Sequence, residues 1–589
     1  MRRFVIGLFA AIGIVVVLAV GGLGAAVWWL AAAKPILPDN IVLSADLSRG
    51  LAEGSGDDAL SELAFGSKQT LRGLLDALIR AGDDARVKGL YARLGGDTLG
   101  LATCQEVRDA VRDFRAKGKF AIGFADSFGE FGPGTRPYYL ATAFDEIWLQ
   151  PLGSLGLIGL HSEMPFFRGM LDKLGIVPSF AHREEYKTAT NALTETAMTG
   201  PQREQVEDLL GASEGQIVGG IAAARNLSAE QVTALIDRGP FVADEALAAH
   251  LVDRLGYRDE ALARARERAG SGGKFVALSR YLDGAGKPHD SGPKIALIYG
   301  TGMITAGGSS GSSLLGAGEF TARKLARAFR QATDDHEVRA ILFRIDSPGG
   351  SAVASESIWR EVVRARDLGK PVVVSMGDVA GSGGYYVAAP ADKIVAQPGT
   401  LTGSIGILAG KVVVADLLKK LGITSDAAAR GANADMFSEF ADFSPAGRER
   451  LNAFLDDVYR GFKAHVAAGR HLSADQVEGA AKGRVWSGEE AKQKGLVDEL
   501  GGYDVALRLA KEAATMPADA AFKLTVFPRE KTLAERVYDR LANREDDNDA
   551  AYPSAAQGAM AAMAAALSDI AALAGERGVL RMPPLGDMR

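Results

Sequence analysis

At 589 residues the chain is longer than one hydrophobic core usually organises, so several domains or a repeat are expected. A net charge of -6 gives no basic field for nucleic acid, and a hydrophobic content of 47% is that of a folded globular protein. Cys104 is the single cysteine, which excludes an intramolecular disulfide and reads as a small buried hydrophobe.

The first element is apolar. Phe4 to Ala33 carries no charge; as a helix it would reach about 45 Å, beyond the ~30 Å hydrocarbon core. Arg2 and Arg3 precede it, and Trp28 and Trp29 lie near its far end. A transmembrane anchor over 4–33 is expected, with its basic end cytoplasmic and the rest of the chain on the outer side. A cleaved signal peptide is the rival, but such peptides have shorter apolar cores.

A duplication follows. TLRGLLDALIRAGDDARVKGLYARL from Thr70 is repeated as TARKLARAFRQATDDHEVRAILFRI from Thr321, an offset of 251. Tyr138 and Tyr385 are 247 apart, and Val252 and Val497 are 245 apart, a drift that loop insertions produce. Copy one spans 41–268, a Gly, Ser and Pro-rich linker 269–293, copy two 294–512, and an Ala-rich tail 513–589. Within each copy, short β-branched runs such as IALIYG, AILFRI and PVVVSMG alternate with segments of helical spacing. That alternation predicts an α/β fold with parallel strands and helical crossovers. In the tail, AAQGAMAAMAAALSDIAALAG predicts a helix packed on its own or a neighbouring subunit.

The copies differ where chemistry would sit. Copy two has IDSPGGSAVAS after a strand-like run, and the N–H groups of Gly349 and Gly350 there could face an oxyanion; copy one has Thr98 and Leu99 instead. Copy two also has GDVAGSGG, placing Ser382 at a strand-to-helix turn with the Gly383 N–H beside it; copy one reads GEFGPGTRP, without serine. Ser404 in TLTGSIGI is matched by Leu157. Conversely, copy one has Lys187 in REEYKTA, whereas copy two has no lysine from Leu421 to Phe462.

A serine nucleophile needs a base. None of the seven histidines falls in a repeated strand-end motif, His182 being the nearest competitor. A lysine serves if a dry site lowers its pKa, at a cost of roughly 4 kcal/mol for three units. The complementary losses therefore point to one site with Ser382 from copy two and Lys187 from copy one. The linker makes closure within one chain easy. Ser404 is placed to orient the lysine amine. A solvated surface lysine and plain turn serines remain the alternative reading of these residues.

The combination of DSPGG, GSGGYY, TLTGSIG and the first-copy YK resembles the long, two-copy signal peptide peptidases of peptidase family S49. That resemblance implies Ser382 as nucleophile, Lys187 as general base, Gly350 and Gly383 as oxyanion donors and Ser404 as a lysine-orienting hydroxyl. It further implies tandem Clp-protease/crotonase-like domains, no metal or cofactor, and a homotetramer tethered to a bacterial inner membrane with its catalytic region periplasmic. Its substrates would be hydrophobic peptides such as released signal peptides. The chain departs from the pattern at Gly381, where Ala or Ser is expected, and at Asp346, where Asn is expected. A crotonase-like acyl-CoA enzyme and a catalytically idle membrane scaffold are the competing functions.

Overall fold

The computed structural model describes residues 35–54, 69–306 and 320–529, and the backbone of 579–581. The expected anchor over 4–33 and the expected Ala-rich helix lie outside them. Among the described residues no helix is long and apolar enough to cross a membrane.

Each copy builds one largely parallel sheet. In copy one the order is Arg254–Leu255, Glu146–Leu149, Phe120–Ala125, Val87–Leu94, Ile41–Asp46 and Lys274–Ala277. In copy two it is Val485–Ser487, Leu401–Gly403, Val372–Gly381, Val338–Ser347, Lys294–Thr301 and Lys523–Phe527, with Lys393–Ala396 and Glu499–Leu500 branching from it. The repeat extends to capping. Thr70 accepts from the Gly73 N–H at 3.0 Å and Thr321 from the Lys324 N–H at 3.2 Å, each starting the first crossover helix of its copy.

Both copies run further than the bounds expected from the repeat. Lys274–Ala277 pairs in parallel with Ile41–Asp46, and Lys523–Phe527 with Lys294–Thr301. Part of the expected linker and the start of the expected tail are therefore edge strands, and Leu278–Ala285 is a helix. Glycine-rich and Pro-Ala-Asp neighbours disguise these short strands in the sequence.

The two sheets share a core. Along the central strands of copy two, Ile295, Leu297, Ala340 and Leu342 join the cluster of copy one, while Ala296, Ile298, Ile341 and Phe343 join a second cluster of copy two. Alternate side chains of one strand thus serve two cores. Cys104 lies in the first, and burial pushes its thiol up to about 12, so it packs rather than reacts. The junction also holds Arg344, fully buried, whose guanidinium donates to Glu53 at 2.8 Å and to Glu106 at 2.9 Å, both from copy one.

A third sheet joins the copies at the end where the central strands terminate. Its order is Phe320–Thr321, Ile304–Thr305, Gly349–Ser351, Val579–Arg581, Leu408–Val413 and Val177–His182. The last pair is antiparallel, from Leu408 opposite His182 to Val413 opposite Val177. Copy one thereby lends a strand to copy two.

Candidate active site

Ser382 stands where the strand Val372–Gly381 turns into the helix Gly383–Ala388, with φ 54° and ψ -113°. A side chain at such a φ is strained by about 1–3 kcal/mol, and neighbours hold it there. Its N–H donates to the Gly403 carbonyl at 2.8 Å, and its carbonyl accepts from the Tyr386 N–H at 2.8 Å. Ser404, also at positive φ (50°), is pinned by its N–H to the Arg484 carbonyl at 2.7 Å.

Lys187 arrives on the strand that copy one lends. After His182 the chain stays tied to copy two: the Arg183 N–H donates to the Ile407 carbonyl at 2.9 Å, and its guanidinium pairs with Asp456 at 2.6 Å. The Tyr186 N–H then donates to the Lys482 carbonyl at 3.2 Å. Lys187 follows and turns inward, so that Nζ lies 2.8 Å from Ser382 Oγ, 2.9 Å from Ser404 Oγ and 3.0 Å from the Ser404 carbonyl. All three side chains are fully buried.

Among the described residues no carboxylate bonds to the amine, and burial pushes Lys187 well below the usual lysine range. Three oxygens around Nζ suit a neutral amine that donates to a carbonyl and a hydroxyl and accepts the Ser382 proton on its lone pair. Lys187 and Ser382 meet within one chain. His182, the competing base, is exposed on the lent strand, its ring facing the Glu184 carbonyl at 3.0 Å.

The glycines expected to bind an oxyanion also meet. A Cβ on Gly383 would lie 3.2 Å from the Gly350 nitrogen and 2.7 Å from Ser355 Oγ. One on Gly350 would fall 2.1 Å from the Ile304 carbonyl oxygen. Glycine is required at Gly350 because the Ile304–Thr305 strand passes against it. Ser347 Oγ accepts from the Gly349 N–H at 3.2 Å and steadies the turn.

Sequence reasoning misses the floor of the lysine channel. A Cβ on Gly483, at φ 75°, would lie 2.6 Å from the Lys187 main-chain nitrogen, and one on Gly406 would lie 3.2 Å from Lys187 Cδ. Gly406 is legible in TLTGSIGI. Gly483 stands in KGRVW, and at the offset of 245 shared by its flanking residues its copy-one counterpart is Arg238, a contrast that the sequence reading does not use.

A strained serine touching a buried lysine at the end of parallel strands defines a hydrolase of the serine-peptidase class. The profile described as "Peptidase family S49" matches residues 133–271 and 364–516. The chain is 33% identical over 502 residues to Protease 4 of Salmonella typhi, covering 83% of this chain and 78% of that one. It is 30% identical over 479 residues to the chloroplastic serine protease SPPA of Arabidopsis thaliana, covering 80% and 69%. To the putative signal peptide peptidase SppA of Enterococcus faecium it is 32% identical over 222 residues, covering 38% and 64%. The chain belongs to peptidase family S49.

Proposed function

We propose that this serine peptidase works through a Ser382–Lys187 dyad on hydrophobic peptides such as cleaved signal peptides. The observation that carries the dyad is the 2.8 Å separation of Nζ and Oγ in a site where both side chains are fully buried and no carboxylate of the described residues meets the amine. Neutral Lys187 removes the Ser382 proton as Oγ attacks the scissile carbonyl, and the Gly350 and Gly383 N–H groups receive the oxyanion. Ser404 holds the amine on line. Lys187 then protonates the leaving amine, and water releases the acyl-enzyme.

The relative named as a signal peptide peptidase supports that substrate class. The apolar segment 4–33 supports a single membrane anchor, with the catalytic region on the periplasmic side of a bacterial inner membrane. The parallel sheets with helical crossovers and paired oxyanion glycines support a Clp-protease/crotonase-like fold.

A homotetramer is part of the same reading. Copy two repeats the lent strand in sequence, with GITSDAAAR from Gly422 against GIVPSFAHR from Gly175. In copy two this segment forms no strand and is exposed, with Leu421 at 65% and Ile423 at 50%. Its exposure supports the reading that it is lent to another copy of the chain.

The test is peptidase assay of Ser382→Ala and Lys187→Ala. Each is expected to lose activity by about 10³-fold or more while keeping the wild-type unfolding transition or better. Substantial activity in either variant would sink the dyad. Labelling of Ser382 by a phosphonylating probe separates this reading from an acyl-CoA enzyme, which needs no reactive serine.

A further inference from the structure

Just before Ser382 the strand Val372–Gly381 bulges. Ile345 lies opposite Met376 and Ser347 opposite Ala380, so the single residue Asp346 faces Gly377, Asp378 and Val379. A bulge re-aims the chain that follows it, and Ser382 comes three residues after Val379. Asp346 fills this one: its Oδ1 accepts from the Val379 N–H at 2.9 Å, and a Cβ on Gly377 would lie 3.0 Å from Asp346 Cβ. The Asp346 carbonyl accepts from the Gly302 N–H at 2.9 Å, just before the strand Ile304–Thr305 that backs Gly350. One residue thus ties the approach to the nucleophile to the approach to the oxyanion turn. Copy one keeps the strands without the carboxyl. Its paired Leu90 and Ala121 match the paired Ile341 and Val372 at the same offset of 251, which sets Gly95 at the place of Asp346. A Cβ on Gly95 would lie 2.3 Å from the Ser127 carbonyl oxygen, so main chain closes the space that the acid fills in copy two.

The second acid of the bulge, Asp378, reaches into copy one. Its carboxylate accepts from the Thr103 N–H at 2.9 Å and from Thr103 Oγ1 at 2.7 Å, at the start of the helix Leu101–Ala116. The cap position of that helix is Gly100, where a Cβ would lie 2.2 Å from Asp378 Cγ, so glycine makes room for a cap supplied by the other copy. Two donors and the positive end of a helix favour charge on Asp378, whereas Asp346 has one donor. Besides Asp378, the charged groups facing Asp346 are Glu53 and Arg344. Asp378 faces the same two, together with the Cys104 thiol that burial keeps protonated. Arg344 has no donor left for either acid. Its five N–H groups go twice to Glu53 and once each to Glu106, Ser375 Oγ and the Met376 carbonyl. Burial first, then the charges of Asp378 and Glu53, push the Asp346 carboxyl up to about 7.

We propose that Asp346 is a positioning residue for the nucleophile: as a neutral acid it holds the bulge in the form that presents Ser382, and as a carboxylate, repelled by Asp378, it releases that form. This rests on the dyad reading above. The proton on Asp346 removes one negative charge from a bulge that holds two acids. When it leaves, the two carboxylates part by moving Gly377 to Val379, the stretch that leads into the strained turn at Ser382. Catalysis then needs Lys187 without its proton and Asp346 with one. The dependence of kcat on pH is a bell, rising as Lys187 is freed and falling as Asp346 ionises.

The experiment is the pH profile of kcat for the full-length wild type, Asp346→Asn and Asp346→Ala on an apolar reporter peptide, with phosphonylation of Ser382 followed in parallel. Wild-type kcat is expected to fall about tenfold on the alkaline side of 7. Asp346→Asn keeps an oxygen for the Val379 N–H and cannot ionise, so its kcat should hold across that range. Asp346→Ala should lose about 10–100-fold in kcat at every pH with little change in KM. A purely structural Asp346 would move the unfolding midpoint in both variants and leave the shape of the profile alone. A wild type without the alkaline fall, or a fall that survives in Asp346→Asn, overturns the inference and leaves the dyad standing. If Asp346→Ala does not fold, the asparagine variant decides alone. If the wild type leaves the reporter whole and Ser382 takes no label, the dyad reading falls and the inference with it.

Discussion

The two copies are one fold put to two uses, and their closest likeness surrounds their sharpest difference. Three residues beyond Ser382, Tyr385 donates its hydroxyl to the Leu496 carbonyl at 3.0 Å; Tyr138 does the same to the Leu251 carbonyl at 2.8 Å. Yet the position of Ser382 is held in copy one by Thr135, in ordinary helix, its hydroxyl given to the Gly159 carbonyl at 2.9 Å. Copy one has dropped both the nucleophile and the backbone strain that presents it. Strain is retained where it has a use.

The lent strand shows the reverse. Val177–His182 is ordered against copy two and delivers Lys187, whereas the matching stretch of copy two has no strand and carries Ala434 at the lysine position. Lys187→Met should therefore break the comparison hardest, with activity falling by about 10³-fold or more. It should also stabilise the fold. The buried amine is held neutral, so unfolding takes up a proton below the usual lysine pKa of 10.5. The stability gap between Lys187→Met and wild type should open as pH falls through that value and stop widening once the folded amine protonates. Denaturant titrations across pH measure it. For the same reason wild-type kcat/KM should rise with pH along a limb lying well below 10.5.

Next in size is the clasp between the copies. Arg344 is fully buried and bonded to Glu53 and Glu106, and Glu106 also accepts from the Tyr503 N–H at 2.6 Å. Arg344→Ala should cost about 3–5 kcal/mol, because two carboxylates are left without their cation. Thermal unfolding should show both copies losing stability together, since they share a core. Separate transitions, with only copy two affected, would show that the copies fold independently.

Much of this comparison is legible in the amino-acid sequence. The repeat, the parallel strands and the candidates Ser382, Lys187 and Ser404 are readable from two similar stretches set against each other, because a lost side chain is visible when its counterpart survives; the choice of Gly350 with Gly383 as oxyanion donors comes from the family resemblance. What escapes is whatever lacks such contrast. The edge strands Lys274–Ala277 and Lys523–Phe527 are too short for a clear alternation. The strand at Val579 has no counterpart, and its pairing with Gly350 spans more of the chain than any local pattern can register.

Ser404→Ala sharpens the comparison by giving copy two the apolar character of Leu157. Ser404 Oγ is one of three oxygens around Nζ, and the main-chain carbonyl remains, so the loss should be partial, about 10–100-fold in kcat. KM should change little. A loss in KM alone would mean that Ser404 touches the peptide rather than the amine.

The smallest effect tests whether likeness of fold is separable from catalysis. Tyr138→Phe and Tyr385→Phe each leave one buried carbonyl without its donor, at about 1–2 kcal/mol. The geometry is the same in both copies, so the two penalties should agree within the error of a denaturant titration. Their effects on activity should not. Tyr385 lies within the turn whose Tyr386 N–H holds the Ser382 carbonyl, so loosening it should lower kcat a few-fold, whereas Tyr138→Phe should leave kcat unchanged. Equal losses of activity would mean that Ser382 responds to the stability of the whole core rather than to its own turn, and the strained backbone at φ 54° would then be a property of the domain, not of the site.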